Sequence, residues 1–140
     1  MTPSVKGPER NSMKEFTLTT QFPVSAMTVY KAWLDSEEHE AMTGGAASIE
    51  ATVGSEFTAW DGYIWGKLTK LVEGKEITQT WKTSDFAEED EDSIVSVRLK
   101  DTADGCEMEL IHSNIPDESA DYYNGWQSSY FAPMLAHFSD

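Results

Sequence analysis

The stretch SADYYNGWQSSYFAPMLAHF, residues 119–138, decides the fold. Its large apolar side chains recur every fourth residue, at Tyr122, Trp126, Tyr130 and Met134, and the stretch ends with His137 and Phe138. This spacing puts the side chains on one face of a helix. Because an isolated helix is only marginally stable in water, that face needs a surface to bury against, and the preceding sequence is strand-like. We therefore expect a sheet that wraps around one long C-terminal helix.

The rest of the chain alternates strand-like segments with turn signals. Residues 15–22 alternate polar and apolar side chains, and two short helices follow, with Ser25 and Ser36 as expected N-caps. Further strand-like segments cover residues 47–52, 55–60, 63–72, 75–83, 93–100 and 106–113. Short turns such as Asp61-Gly62 predict an antiparallel meander. The predicted fold class is α+β, with a curved antiparallel sheet of six or seven strands around the long helix.

Length and composition bound the class of protein. The 140 residues fit one domain, placed at 14–140 after a tail at 1–13 that is expected to be disordered. Ten basic and 25 acidic residues give a net charge of −15, which disfavours nucleic acid and anionic membranes as partners. No apolar run reaches membrane-spanning length, and no secretory signal is expected. The single cysteine, Cys106, fits a reducing cytoplasm, which is the expected location.

Inward-facing aromatic and polar residues predict a cavity between the sheet and the long helix. The alternation of residues 106–113 puts His112 on the apolar face, and Gln79 shares a face with Trp81. Nine residues are expected to line this cavity: Trp60, Trp65, Gln79, Trp81, Met108, His112, Tyr122, Trp126 and Tyr130. In the alternative interpretation these residues fill the core, and Gln79 and His112 bind the polar atoms of buried tryptophan and tyrosine.

Two backbone irregularities are also expected. Leu71 is out of phase with Ile64 and Leu68, which predicts a β-bulge, and Gly66 leaves room for the helix or a ligand. Pro133 should either kink the long helix or lie where the freed carbonyl is satisfied in another way.

The sequence contains no strong catalytic or metal-binding motif. His39, His112 and His137 are scattered, without metal-ligand spacing, so neither a metal nor another cofactor is expected. His112 could act as a general base with Asp61 or Asp117, or it is a satisfied core histidine; we favour a domain without enzymatic activity. The acidic run at residues 88–92 is either a solvated loop or a docking patch for a basic partner surface.

Six motifs follow one another along the chain. They are FPVSAMTVYKAWLD at 22–35, MTGG at 42–45, DGYIWGK at 61–67, ITQTWK at 77–82, LIHSNIPD at 110–117 and GWQSSYFAPM at 125–134. With these motifs, the chain from Phe22 onward resembles domains similar to the C-terminal domain of the Aha-type activator of the ninety-kilodalton heat-shock chaperone ATPase. That family lies in the START-like, helix-grip superfamily, also called SRPBCC or polyketide cyclase-like.

The resemblance implies a helix-grip fold whose cavity binds apolar ligands in other superfamily members. It also implies a homologue of the chaperone ATPase activator; the alternative is binding or transport of a small hydrophobic ligand. The expected partners are a heat-shock-protein-90-type chaperone, a small hydrophobic ligand or a second copy of the chain in a homodimer. Two departures stand out. The full co-chaperone has an additional N-terminal domain, for which this chain has no room. Met42 replaces the tryptophan usual before the family's Thr-Gly, which should change the mouth of the cavity.

Overall fold

The computed structural model describes residues 13–116 and 121–139, and most of the expected tail lies outside them. Within these residues, six strands form one antiparallel sheet in the order β1-β6-β5-β4-β3-β2. The strands are Met13–Phe22 (β1), Glu56–Ala59 (β2), Ile64–Val72 (β3), Glu76–Thr83 (β4), Ser93–Thr102 (β5) and Gly105–Pro116 (β6). Strands β2 to β6 pair in chain order and β1 closes on β6, so the predicted α+β helix-grip fold is confirmed.

Two short helices follow β1, as predicted, but the cap of the second is different. Helix α1 spans Ala26–Leu34, and the Ser25 hydroxyl accepts a hydrogen bond from its first turn. Helix α2 spans Ser36–Thr43 and is capped by Asp35, whose Oδ1 accepts from the Glu38 N–H at 3.0 Å. The prediction of Ser36 as the cap was wrong because its hydroxyl binds the backbone of Ile49 instead, at 2.8 and 3.1 Å.

The segment at residues 47–52 is not a strand, contrary to prediction. Only Ser48 pairs with the sheet, through an isolated bridge to Thr58. The Ser36 hydroxyl binds the backbone N–H and C=O of the next residue, Ile49. Beyond it the Thr52 N–H binds the Glu50 carbonyl at 2.8 Å in a tight turn, so the chain bends away before a second pair with β2 forms.

The bulge predicted in β3 is present, as a register shift between Leu68 and Lys70. Gly66 is explained differently from the prediction. A Cβ at this position would lie 2.1 Å from the carbonyl oxygen of Thr80, on the paired strand β4. The space beside Gly66 is therefore taken by the neighbouring backbone, not by the long helix or a ligand.

The C-terminal helix runs continuously over residues 122–138 but changes its winding halfway. Helix α3 (Tyr122–Trp126) leads into a π-helical turn (Gln127–Phe131), and α4 (Ala132–Phe138) completes it. In the π turn the Ala132 N–H binds the Gln127 carbonyl, five residues back. Pro133 follows directly, so the irregularity expected from this proline takes the form of a π turn.

The core lies between the concave face of the sheet and the helices. The predicted four-residue stripe is buried, and Phe131 in the π turn is buried beside it. On the sheet, the fully buried residues at 0% exposure include Ile77, Val95, Val97, Met108 and Leu110. The long helix therefore buries its aromatic face on the sheet, as the opening stretch of sequence indicates.

Candidate functional site

A cavity of about 350 Å³ lies between the N-terminal half of the long helix and the adjoining ends of β3 and β4. Its floor consists of buried side chains: Ile64, Trp81, Tyr122, Trp126 and Tyr130. Its mouth is formed by more exposed residues: Trp60, Tyr63, Asp121, Gly125 and Ser129. Six of these ten lining residues are aromatic, so the walls suit a small, largely apolar ligand.

The structure brings together five of the nine residues predicted to line the cavity: Trp60, Trp81, Tyr122, Trp126 and Tyr130. Gln79, Met108 and His112 are buried behind the wall and do not line it. Trp65 faces away from the cavity and is 39% exposed. Side chains alternate along β3, so the inward positions of Ile64 and Leu68 turn Trp65 to the outer face.

His112 links two walls of the cavity through a chain of hydrogen bonds. The Trp126 indole N–H donates to His112 Nδ1 at 3.0 Å. With Nδ1 acting as acceptor, the neutral ring carries its proton on Nε2, which donates to the Ser93 hydroxyl at 2.9 Å. Ser93 in turn donates to the Trp81 carbonyl at 2.5 Å. Burial lowers the pKa of His112 to about 3, so the ring is neutral at physiological pH.

The general-base interpretation of His112 is not supported by this geometry, because both ring nitrogens are engaged within the core. Asp61, one candidate partner, accepts from the Ala46 N–H at 3.0 Å instead. Asp117, the other, lies outside the described residues. The alternative prediction, a core histidine whose ring nitrogens are both hydrogen-bonded, agrees with the structure. Through these bonds His112 holds Trp126 and, by way of Ser93, Trp81 in the cavity wall.

A second buried histidine, His39, was missed by the sequence analysis. The Tyr130 hydroxyl donates to His39 Nε2 at 2.9 Å, and His39 Nδ1–H donates to the Trp33 carbonyl at 2.8 Å. Burial lowers the pKa of His39, which keeps the ring neutral. Helical spacing could have predicted the burial of His39, because this residue shares the buried face of α2 with Met42 and Thr43. Met42 itself, expected to change the mouth of the cavity, is 1% exposed and lies in the core.

The tyrosines on the other side of the cavity have partners that the sequence analysis also missed. The Tyr122 and Thr83 hydroxyls form a buried hydrogen bond of 2.6 Å. The Tyr63 hydroxyl donates to the Asp85 carboxylate. Desolvation, together with this carboxylate, raises the pKa of Tyr63 to about 12.

Trp60 enters the mouth of the cavity from a strained turn. Its φ is 51° and that of Asp61 is 60°, in the left-handed region that non-glycine residues rarely adopt. A Cβ at Gly45 would lie 2.6 Å from the Trp60 ring, so the indole packs directly against a backbone position that only glycine can occupy. Asp61 fixes the turn through two 3.0 Å hydrogen bonds with the backbone of Ala46. The MTGG and DGYIWGK motifs therefore meet to hold Trp60 in place.

Within residues 13–116 and 121–139, no three histidine, cysteine, aspartate or glutamate side chains are grouped closely enough to hold a metal ion. In the same part of the chain, no helix is both long and apolar enough to cross a membrane.

Comparison with solved structures places this arrangement among known folds. An Hsp90 activator from Plasmodium falciparum matches with a TM-score of 0.79 at 24% identity, covering 89% of this chain and 96% of that one. An Aha1 dimer from Colwellia psychrerythraea matches with a TM-score of 0.72 at 17% identity, covering 90% and 94% of the two chains. Both share the fold of this chain.

Sequence comparison identifies the family. The human "Activator of 90 kDa heat shock protein ATPase homolog 1" is 28% identical over 125 residues, which are 89% of this chain and 37% of the human protein. The chain thus spans well under half the length of that relative. The model of the family described as "Activator of Hsp90 ATPase homolog 1-like protein" matches residues 23–138. This chain therefore belongs to the family of Activator of Hsp90 ATPase homolog 1-like proteins.

Proposed function

We propose that this domain is a non-enzymatic regulator that binds an Hsp90-type chaperone and raises its ATPase rate. The observation that carries the proposal is the family match over residues 23–138, together with the similarity to a human activator of that ATPase. The likeness in fold to the Plasmodium activator is consistent with it.

The negative charge of the domain suggests which kind of chaperone surface it would bind. The net charge of −15 attracts a basic surface, and the loop at residues 88–92 concentrates five acidic side chains between β4 and β5. Three members are bound locally: Asp92 pairs with Lys82 at 3.8 Å, Asp90 accepts from the Ala87 N–H at 2.7 Å, and Glu91 accepts from the Asn114 side-chain amide at 3.4 Å. Glu88 and Glu89 are exposed. We propose these two carboxylates as contacts for a basic chaperone surface.

Calorimetric titration of the purified chaperone with this domain tests the docking. Affinity should fall several-fold between about 50 mM and about 300 mM salt, because exposed charges are screened over roughly 10 Å at 0.1 M. Glu88→Gln with Glu89→Gln should weaken binding. The matched control, Glu50→Gln with Glu73→Gln, removes the same charge at exposed sites elsewhere and should change it less.

Two outcomes would contradict this docking mode: affinity that is insensitive to salt, or equal losses in the two charge variants.

The mass of the free domain, measured by light scattering, is needed to interpret the stoichiometry of the titration. A homodimer remains a prediction for this chain, and the Colwellia relative is described as a dimer.

A second candidate function is favoured by the cavity: binding of a small hydrophobic ligand. Its volume of about 350 Å³ falls within the range of ligand pockets, roughly 300–1,000 Å³. Gly125 offers a clean test because it lines the mouth and a Cβ there would meet no atom within 4 Å. A larger side chain at this position should occupy the mouth while leaving the core intact.

The test uses N-phenyl-1-naphthylamine, a neutral dye that fluoresces in apolar sites. The wild-type domain should bind it saturably, and Gly125→Leu should weaken binding. Gln127→Leu, which adds the same side chain to an exposed position of the helix outside the cavity, should leave affinity unchanged. Equal binding by both variants would mean that the dye does not occupy this cavity.

A further inference from the structure

We propose that the cavity prefers aromatic ligands that carry a positive charge, such as an arylmethylammonium ion. The ring of the ligand would lie among the buried aromatic side chains of the floor, and its ammonium group would lie at the mouth, near Asp121. This inference rests on the proposed ligand-binding function and adds the chemical class of the ligand.

The first observation is the change in polarity from the floor of the cavity to its mouth. The five floor residues are at most 7% exposed, and all of them except Ile64 are aromatic. At the mouth, Asp121 and Ser129 are exposed and polar, and Tyr63 is 38% exposed. A ligand with a flat apolar end and a charged end matches this arrangement, because its charge stays in contact with water instead of being buried.

The second observation is the sign of the charge at the cavity. None of the described residues that line it is lysine or arginine, whereas Asp121 is one of them. Asp85 lies beside the lining, because its carboxylate accepts the hydrogen bond of the Tyr63 hydroxyl. Lys82 alternates to the outer face of β4, where it pairs with Asp92 at 3.8 Å. The two charged groups identified at the mouth are therefore both negative.

The third observation is that the recorded partners of these carboxylates are uncharged. Asp121 accepts from the backbone N–H and the side-chain amide of Asn124, at 3.2 and 2.7 Å. Asp85 accepts from a phenol hydroxyl. Neutral donors stabilise a carboxylate without cancelling its charge. The positive end of the helix dipole, roughly half a charge, does not offset two carboxylates. A cation at the mouth would supply the missing positive charge.

The aromatic lining adds a second attraction for a cation. Six of the ten lining residues are aromatic, and the electron-rich face of such a ring attracts a cation within about 6 Å of its centre. The net charge of −15 adds a long-range attraction of the same sign. A neutral ligand gains neither of these terms, and an anion is repelled by the same groups.

Three probes of nearly the same shape test the preference for charge. At neutral pH 2-(aminomethyl)naphthalene is a cation, 2-(hydroxymethyl)naphthalene is neutral and 2-naphthoate is an anion. Their affinities for the wild-type domain are measured at low salt by ¹⁵N NMR titration, through the backbone amides of Gly125 and Ser129 at the mouth.

The amine should bind about 3- to 10-fold more tightly than the alcohol, the factor expected for one exposed ion pair and one cation–π contact. Naphthoate should bind most weakly. Asp121→Asn removes the charge but keeps a good N-cap for α3, and it should lower the affinity of the amine about 2- to 5-fold, with a smaller effect on the alcohol. The control Glu73→Gln removes a charge from an exposed turn outside the lining and should change both affinities little.

The outcomes separate this inference from the function on which it rests. If none of the probes binds saturably, the ligand-binding function itself fails. If the alcohol binds as tightly as the amine, or naphthoate binds most tightly, the cavity binds ligands but the preference for a positive charge is wrong.

The variants decide where the preference arises. Equal losses in Asp121→Asn and Glu73→Gln would overturn the inference, because the field of the whole protein would then explain the preference. An amine affinity that Gly125→Leu does not weaken would contradict it as well, since the amine would then bind the acidic surface outside the cavity. Should Asp121→Asn not fold, the order of the three probes and the effect of Gly125→Leu decide on their own.

Discussion

At the scale of single residues, the buried histidines serve as hydrogen-bond acceptors for aromatic donors. His112 accepts from Trp126, and His39 accepts from Tyr130. Each is kept neutral by burial, which lowers both pKa values. The two histidines therefore fix successive turns of the long helix against the sheet and against α2.

The lowered pKa of His112 predicts how stability depends on pH. Its folded-state pKa is about 3, against 6.5 for a free histidine. Between these values the unfolded chain binds more protons than the folded one, so this residue makes stability fall as the pH falls. His112→Gln removes the titration while keeping an acceptor and a donor. Relative to this variant, the wild type should lose about 1 kcal/mol of unfolding free energy per pH unit between about pH 6 and pH 4.

Urea denaturation of both proteins across that pH range measures the difference. His39 and the carboxylates titrate in both proteins, so their contributions cancel in the comparison. Parallel stability curves would mean that His112 is not the group responsible.

The hydrogen bond between Tyr130 and His39 gives a second prediction at the same scale. Tyr130→Phe leaves His39 Nε2 buried without a donor and should lower the unfolding free energy by about 1–3 kcal/mol. Tyr123→Phe is the control, because Tyr123 is 47% exposed on the same helix and should change stability by less than about 0.5 kcal/mol. Equal effects in a denaturant titration would refute the assigned role.

At the scale of elements, the pairing of β3 with β4 depends on Gly66. A methyl group at this position would lie 2.1 Å from the Thr80 carbonyl, which belongs to the backbone and cannot turn aside. Gly66→Ala should therefore destabilise the protein by more than about 2 kcal/mol. Gly125→Ala meets no atom within 4 Å and lies in α3, where alanine favours the helix, so it should stabilise by up to about 1 kcal/mol.

Thermal or chemical unfolding of the two alanine variants compares these glycines directly. Opposite signs are expected. A Gly66→Ala protein as stable as the wild type would show that β3 and β4 are farther apart than described.

The elements also show what sequence alone could predict. Strand alternation and four-residue helical spacing are local signals, and they predicted all six strands, β1 to β6, and the buried stripe of the long helix. The failures involve contacts between distant residues. Ser36 binds Ile49 instead of capping α2, and the strand expected at residues 47–52 is reduced to one bridge between Ser48 and Thr58. No periodicity encodes such a choice of partner.

The candidate site was predictable to a similar degree. Tyr122, Trp126 and Tyr130 follow from the helical stripe, whereas the left-handed turn at Trp60 depends on Gly45 and Ala46 from another segment. The bond between His39 and Tyr130 joins residues 91 positions apart. These features arise from tertiary packing, so only the folded chain displays them.

At the scale of the whole molecule, the domain combines an acidic surface with an aromatic cavity. The exposed loop residues Glu88 and Glu89 follow β4, whose end also lines the cavity, and Phe86 between them packs on Trp81 of the lining. Gly125 lines the cavity mouth from the long helix and belongs to neither β4 nor the loop. Gly125→Leu is expected to bind the chaperone as the wild type does, and a loss of affinity in calorimetry would show that the two sites overlap.

The most direct test of the proposed function is the ATPase rate of the Hsp90-type chaperone from the same organism, titrated with this domain. We expect a saturable increase in rate that is smaller at higher salt and is reduced by Glu88→Gln with Glu89→Gln. A rate that stays flat at all concentrations of the domain, in both low and moderate salt, would contradict the proposal that this domain activates the chaperone.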